Sequence, residues 1–143
     1  VSRAASSHLD YDIDSAKKME ASNPVYYAQY AHARLCAIME QGKDIPLDVT
    51  GACLVEEKEK ALLKILAEYP KEILSSAITR SPYKITNYIQ KLATSINEFY
   101  TICRVIDRNN LAVSSSRMAL CKASEIVLKN ALEIIGVTAP ERM

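Results

Sequence analysis

Asn-Pro-Val-Tyr-Tyr-Ala-Gln-Tyr-Ala-His-Ala-Arg-Leu-Cys-Ala-Ile-Met-Glu-Gln-Gly spans Asn23 to Gly42. It opens on an N-cap side chain with proline at the first helical position and closes on glycine. It therefore reads as one helix running to about Gln41. At 100° per residue, Val25, Ala28, Ala31, Leu35, Ile38 and Met39 share one side. Tyr27, Tyr30 and Arg34 share another, aromatic and basic. His32 falls in the middle of the apolar side, where a histidine is expected to be buried and hydrogen-bonded rather than a ligand or a base. Such a helix must bury its apolar side against a partner.

The rest of the chain supplies partners of the same kind. Leu54 to Glu68 is helical in pattern, with Leu62, Leu63, Ile65 and Leu66 apolar and the charges from Glu56 to Lys60 read as a solvated face. Pro70 is expected to end that helix and open a short one through Ile73, Leu74, Ala77 and Ile78. Ser81-Pro82 is a second cap-plus-proline start, for a long helix reaching about Asp107. Its stripe is Ile85, Ile89, Leu92, Ile96, Phe99, Cys103 and Ile106. Asn109-Asn110 marks a turn, and a last helix runs from about Leu111 to Ile135, stopped by Gly136. The expectation is an all-α bundle of about five helices with short connections. Only residues 9–14 alternate like a strand, and the acids Asp10, Asp12 and Asp14 lack the other ligands of a calcium loop.

Composition narrows the class further. The 143 residues are 49% hydrophobic and 24% charged, with 3 Gly and 5 Pro. A single domain of that size can bury roughly 70% of its unfolded surface without staples. No apolar run approaches the length of a membrane span. The start, Val1 to His8, has neither initiator Met nor an apolar h-region, and it reads as the start of a piece of a longer protein rather than as a signal peptide. Residues 1–77 carry 9 basic and 12 acidic side chains, and residues 78–143 carry 9 basic and 5 acidic. That balance of −3 against +4 turns a basic half toward an anionic partner or toward solvent. Cys36, Cys53, Cys103 and Cys121 lack metal-site or disulfide spacing and read as small hydrophobes of a reducing compartment. No Gly-rich phosphate loop and no metal-ligand motif is present. A nucleophile–His–acid arrangement would have to use His8 or His32.

Two long stretches carry a resemblance. Asn23–Arg34 and Leu128–Met143 (Leu-Lys-Asn-Ala-Leu-Glu-Ile-Ile-Gly-Val-Thr-Ala-Pro-Glu-Arg-Met) are similar to the arginyl-tRNA synthetase family, as are Ile85–Ala93 and Phe99–Val105 between them. Ser7–Asp14 resembles the segment leading out of that family's catalytic core. The resemblance implies that residues 1–22 are the tail of the core or a linker. Residues 23–143 would be the helical anticodon-binding domain, called DALR after a motif. Here the corresponding stretch is Ser114–Leu120, where Arg117 fits and the leading Asp-Ala-Leu does not. The two ATP-site signatures of class I synthetases, H-I-G-H and K-M-S-K, do not occur in the 143 residues. The piece is therefore expected to be catalytically silent and to need no cofactor. The parent would be a cytoplasmic ligase using ATP and Mg²⁺ to join arginine to its tRNA.

The implied partners are the anticodon arm of tRNA(Arg) and the catalytic domain of the same polypeptide, with no membrane. Unpaired RNA bases are read by aromatic stacking, Arg planes and base-edge hydrogen bonds. Tyr27, Tyr30 and Arg34 offer those groups. Tyr100 and Arg104, one turn apart if the helix from Pro82 runs on, would sit at the edge of its apolar stripe. In the family an aromatic residue matching Tyr100 meets the anticodon loop, as does a terminal Met, here Met143, whereas position 104 varies. The seven residues after Gly136 are expected to form a docked tail. The alternative is a helical protein–protein interaction module that uses the tyrosines as interface anchors.

Overall fold

The computed structural model describes residues 23–143, which form four helices: α1 (Pro24–Gln41), α2 (Glu57–Ile78), α3 (Tyr83–Ile102) and α4 (Leu111–Ile134). The Asp10–Asp14 alternation, His8 and the assignment of residues 1–22 as a core tail or linker lie outside the described residues. α3 and α4 each pack against the other three helices, while α1 and α2 meet only through them. The core between them is built from Leu35, Leu62, Ile89, Leu92, Ile96, Phe99, Met118, Leu128 and Leu132. No helix among the described residues is long and apolar enough to cross a membrane.

Local signals set most boundaries. The Asn23 side chain accepts from Val25 N–H at 3.0 Å, and Asn110 caps α4 by accepting from Val113 N–H at 3.3 Å. Gly136 takes φ +76°, the left-handed stop expected of it, and Val137 N–H closes back on Leu132 C=O. Gly42 stops α1 for another reason, because its φ of −103° is open to any residue. A Cβ there would lie 2.6 Å from Met118 Cε and 2.8 Å from its Sδ, so any larger residue has to displace the end of that buried side chain on α4.

Two expected boundaries fail. Pro70 does not break the second helix: α2 runs through it, which gives four helices rather than about five. An interior proline costs roughly 3 kcal/mol, but α2 is held along its length by α3. The Tyr69 and Tyr88 rings lie 5.7 Å apart, and Tyr88 O–H donates to Ile65 C=O at 3.0 Å. That bond lies beside the Leu66 carbonyl, which the proline leaves without its helical donor.

The third helix ends at Ile102, short of Asp107. Cys103 turns extended, with φ −102° and ψ 117°, and both Cys103 and Val105 are buried. Helical continuation would place Val105 about 200° from Cys103, in solvent. An extended segment buries alternate residues instead, so Arg104 points out.

The charged run is likewise not all solvated. Glu59 is 0% exposed and accepts from Arg117 Nε at 2.6 Å. Lys58 pairs with Glu98 at 2.7 Å.

The connection after α1 is tied to α4 through Asp48, which accepts from Ser116 Oγ at 2.6 Å and from Thr50 N–H and Oγ. The Ser116 bond, then the Thr50 bonds, hold its carboxyl below the usual carboxylate range. A depressed carboxylate contributes stability above its unfolded pKa and loses it as pH falls through the folded value. Asp48→Asn should therefore melt below the wild type at pH 7, and the gap should begin to narrow below about pH 4, as pH falls toward the lowered folded value. A gap that persists undiminished to pH 2 would exclude this role.

Candidate nucleic-acid interface

On α1, Tyr26, Tyr30 and Arg34 recur every fourth residue and form one row, with Tyr30 exposed and Tyr26 and Arg34 half-buried. The Tyr26 and Tyr30 rings stack with centroids 6.4 Å apart. The Arg34 guanidinium lies 5.6 Å from the Tyr30 ring centroid and 4.1 Å from that of Tyr100 on α3. Its Nη1 donates to Asn97 Oδ1 at 3.4 Å. Tyr30 and Tyr100 remain 43% and 39% exposed. The cation is thus held between two aromatic rings from different helices, each with a face or edge still open to solvent.

Of the three stripe residues expected on α1, the structure brings Tyr30 and Arg34 together and separates Tyr27. Tyr27 is half-buried and packs against the core, on the edge of the apolar side. Tyr26 takes its place beside Tyr30. Spacing did not mark Tyr26, because by angle Tyr27 lies about 20° from Arg34 and Tyr26 about 80°.

Tyr100 also lines a groove of about 410 Å³ at the C-terminal ends of α1 and α3. Ile38 and Gln41 form one side, and the segment Thr101 to Ile106 forms the other. Arg104 does not sit one helical turn after Tyr100, because α3 has ended. It reaches the same groove from the extended segment, and its Nε donates to Ile106 C=O at 3.2 Å.

The tail beyond Gly136 is docked along α1. Gln29 Nε2 donates to Thr138 C=O at 2.8 Å, and His32 Nδ1 lies 2.9 Å from Pro140 C=O. His32 is 1% exposed, on the core side as expected. Glu40, whose carboxyl is lowered first by its hydrogen bond to Lys43, also feels Arg142. The tail ends on Met143, 53% exposed, which is not among the residues lining the groove.

His32, Cys36 and Glu125 place an N, an S and an O ligand within 4.8 Å of one another. They do not make a metal site as they stand. His32 Nδ1 is taken up by Pro140 C=O at 2.9 Å, and burial above all pushes the Cys36 thiol up, toward its protonated form. Both Glu125 oxygens accept from Lys122. The four cysteines are free thiols, and burial pushes Cys121 up to about 12, which leaves it protonated and inert.

The described residues form a helical bundle that presents an arginine between two tyrosine rings beside an open groove, the form of an anticodon-binding module. The chain belongs to the DALR anticodon binding domain family, which it matches over residues 28–143 despite Ser114–Ser116. It matches the C-terminal part of arginine–tRNA ligases. It is 44% identical to the ligase of Bacillus velezensis and 45% identical to that of Anoxybacillus flavithermus, each over 99% of this chain. The chain spans about a quarter of the length of those relatives, 26% of each. The arginyl-tRNA synthetase of Thermus thermophilus superposes with a TM-score of 0.79 at 26% identity, over 94% of this chain and 24% of that one. A Campylobacter jejuni structure superposes with 0.87 at 25% identity, over 99% of this chain and 31% of that one.

Proposed function

We propose that this chain holds the anticodon arm of tRNA(Arg) for a longer, cytoplasmic arginine–tRNA ligase. In that protein residues 1–22 lead out of the catalytic part and residues 23–143 form the anticodon-binding unit. The observation that carries the reading is Arg34 held between the Tyr30 and Tyr100 rings beside an open groove. In this arrangement Tyr30 and Tyr100 stack on unpaired bases, and Arg34 and Arg104 contact phosphate or a base edge. Met143, exposed at the end of the docked tail, contacts the anticodon loop from there, and Tyr27 supports the row from its buried side. ATP, Mg²⁺ and arginine are handled by the catalytic part of the polypeptide, and no residue of this chain is assigned to them.

The test is Arg34→Ala in the full-length protein, titrated with tRNA(Arg) over a range of salt. Affinity should fall, and the slope of log affinity against log salt should flatten by about one charge. Unchanged affinity and slope would remove Arg34 from the site. A protein–protein module would show little salt dependence with tRNA at all. Because the two ATP-site signatures do not occur in these 143 residues, the chain alone should give no charging with arginine, ATP and tRNA. Measurable turnover would contradict that.

A further inference from the structure

We infer that Arg117 of α4 is a positioning residue for the groove, acting through the backbone of Arg104; this rests on the anticodon-arm reading above. The groove's second wall is the segment Thr101 to Ile106, which leaves α3 after Ile102; Cys103 N–H still donates to Phe99 C=O at 2.8 Å, but the residues beyond it have left the helical ladder. Something else must set its backbone. Cys103 and Val105 anchor it from below by burial. From the side, Arg117 Nη1 donates to Arg104 C=O at 2.9 Å.

Arg117 is itself held. Its Nε donates to Glu59 Oε1 at 2.6 Å, and its side chain is 15% exposed against 0% for Glu59. The other Glu59 oxygen accepts from Glu56 N–H at 2.8 Å, at the start of α2. One guanidinium thus joins the first turn of α2, the body of α4 and the carbonyl of the residue that presents Arg104 to the groove. The far end of the segment is fixed in the same manner. Ser114 Oγ accepts from Asp107 N–H at 2.8 Å and donates to Asp107 C=O at 2.9 Å.

The planar fork is what the position requires. Nε and Nη1 donate in different directions at once, to a carboxylate and to a carbonyl. A lysine keeps the positive charge opposite the buried Glu59 but cannot reproduce both directions. Arg117→Lys therefore separates a charge that the fold needs from a hydrogen bond that the groove needs.

The experiment measures Arg117→Lys, Ser114→Ala, Tyr100→Ala and Arg34→Ala in the full-length protein. Each is assayed for KM toward tRNA(Arg), ATP and arginine, and for thermal midpoint. Arg117→Lys should raise the tRNA KM roughly two- to tenfold, the worth of one hydrogen bond, and leave the KM for ATP and arginine unchanged. Ser114→Ala, which leaves the ion pair intact, should shift the tRNA KM in the same direction. Adding Arg104→Ala to Arg117→Lys should give less than the product of the two single effects, because both act through one side chain. A lowered midpoint with an unchanged tRNA KM in both Arg117→Lys and Ser114→Ala, while Tyr100→Ala and Arg34→Ala still weaken tRNA, would make Arg117 purely structural and overturn the inference. No effect of any of the four on tRNA would overturn the anticodon reading together with it.

Discussion

Replacing Tyr100 by Ala in the full-length protein should raise the KM for tRNA(Arg) by roughly five- to 150-fold. That range is what about 1–3 kcal/mol of base stacking amounts to. Tyr100 is the residue where the two parts of the candidate interface meet. Its ring lies 4.1 Å from the Arg34 guanidinium, and it also lines the groove with Arg104. Removing the ring takes away a stacking platform and frees Arg34 to sample other rotamers. The loss should therefore overlap with that of Arg34→Ala, and the double variant should fall short of the product of the single effects. The KM for ATP and arginine should stay as it is, because the residue lies on the α1–α3 face and not in the core. Steady-state charging with each substrate varied in turn checks this. An equal rise in all three constants would mean that Tyr100 supports the fold and not the interface.

Its neighbour should behave in the opposite way. Phe99→Ala should lower stability by about 3–5 kcal/mol, the usual cost of emptying a buried aromatic site. Phe99 is 1% exposed and sits among the residues that α3 contributes to the core. For a chain of this size that loss lowers the thermal midpoint by on the order of 10–20 °C. Urea unfolding should show a lower midpoint with an unchanged slope. At a temperature where the variant is still folded, its tRNA affinity should be close to that of the wild type. A loss below 1 kcal/mol would show that the site refills, and that Phe99 is not a keystone of the α3 packing.

The contrast between residues 99 and 100 follows from helix geometry, and it was legible from spacing alone. Phe99 falls on the stripe with Ile85, Ile89, Leu92 and Ile96, and all five are buried. Tyr100 falls 100° away and is exposed. The start of α1 at Asn23-Pro24 and the stop of α4 at Gly136 were equally legible, because a cap or a left-handed turn is a local event. So was the burial of His32, from its place amid apolar neighbours. The family resemblance of Asn23–Arg34 and Leu128–Met143 was legible in the residues themselves.

What local pattern could not decide depended on contacts distant in sequence. Pro70 would break an isolated helix, and only packing on α3, with the Tyr88 hydroxyl on the Ile65 carbonyl, makes an unbroken α2 tolerable. Nothing near Ile102 stops a helix. α3 ends there because burying Val105 together with Cys103 requires an extended chain. Arg104 consequently reaches the groove from a loop rather than from a helical turn. Glu59 looked like one charge in a solvated run, since its partner Arg117 lies on another helix, 58 residues away. Tyr26 and Tyr27 are adjacent residues of one type, and sequence alone does not say which faces the core. The position of α3, with Tyr100 reaching across to Arg34, turns Tyr26 toward the open row and Tyr27 inward. Hydrophobic period and caps are properties of a few consecutive residues, so the sequence determined the class of fold. Which polar groups are buried, where an element yields to its neighbours and which side chains converge on one surface are properties of the packed bundle, and the tertiary structure decided them.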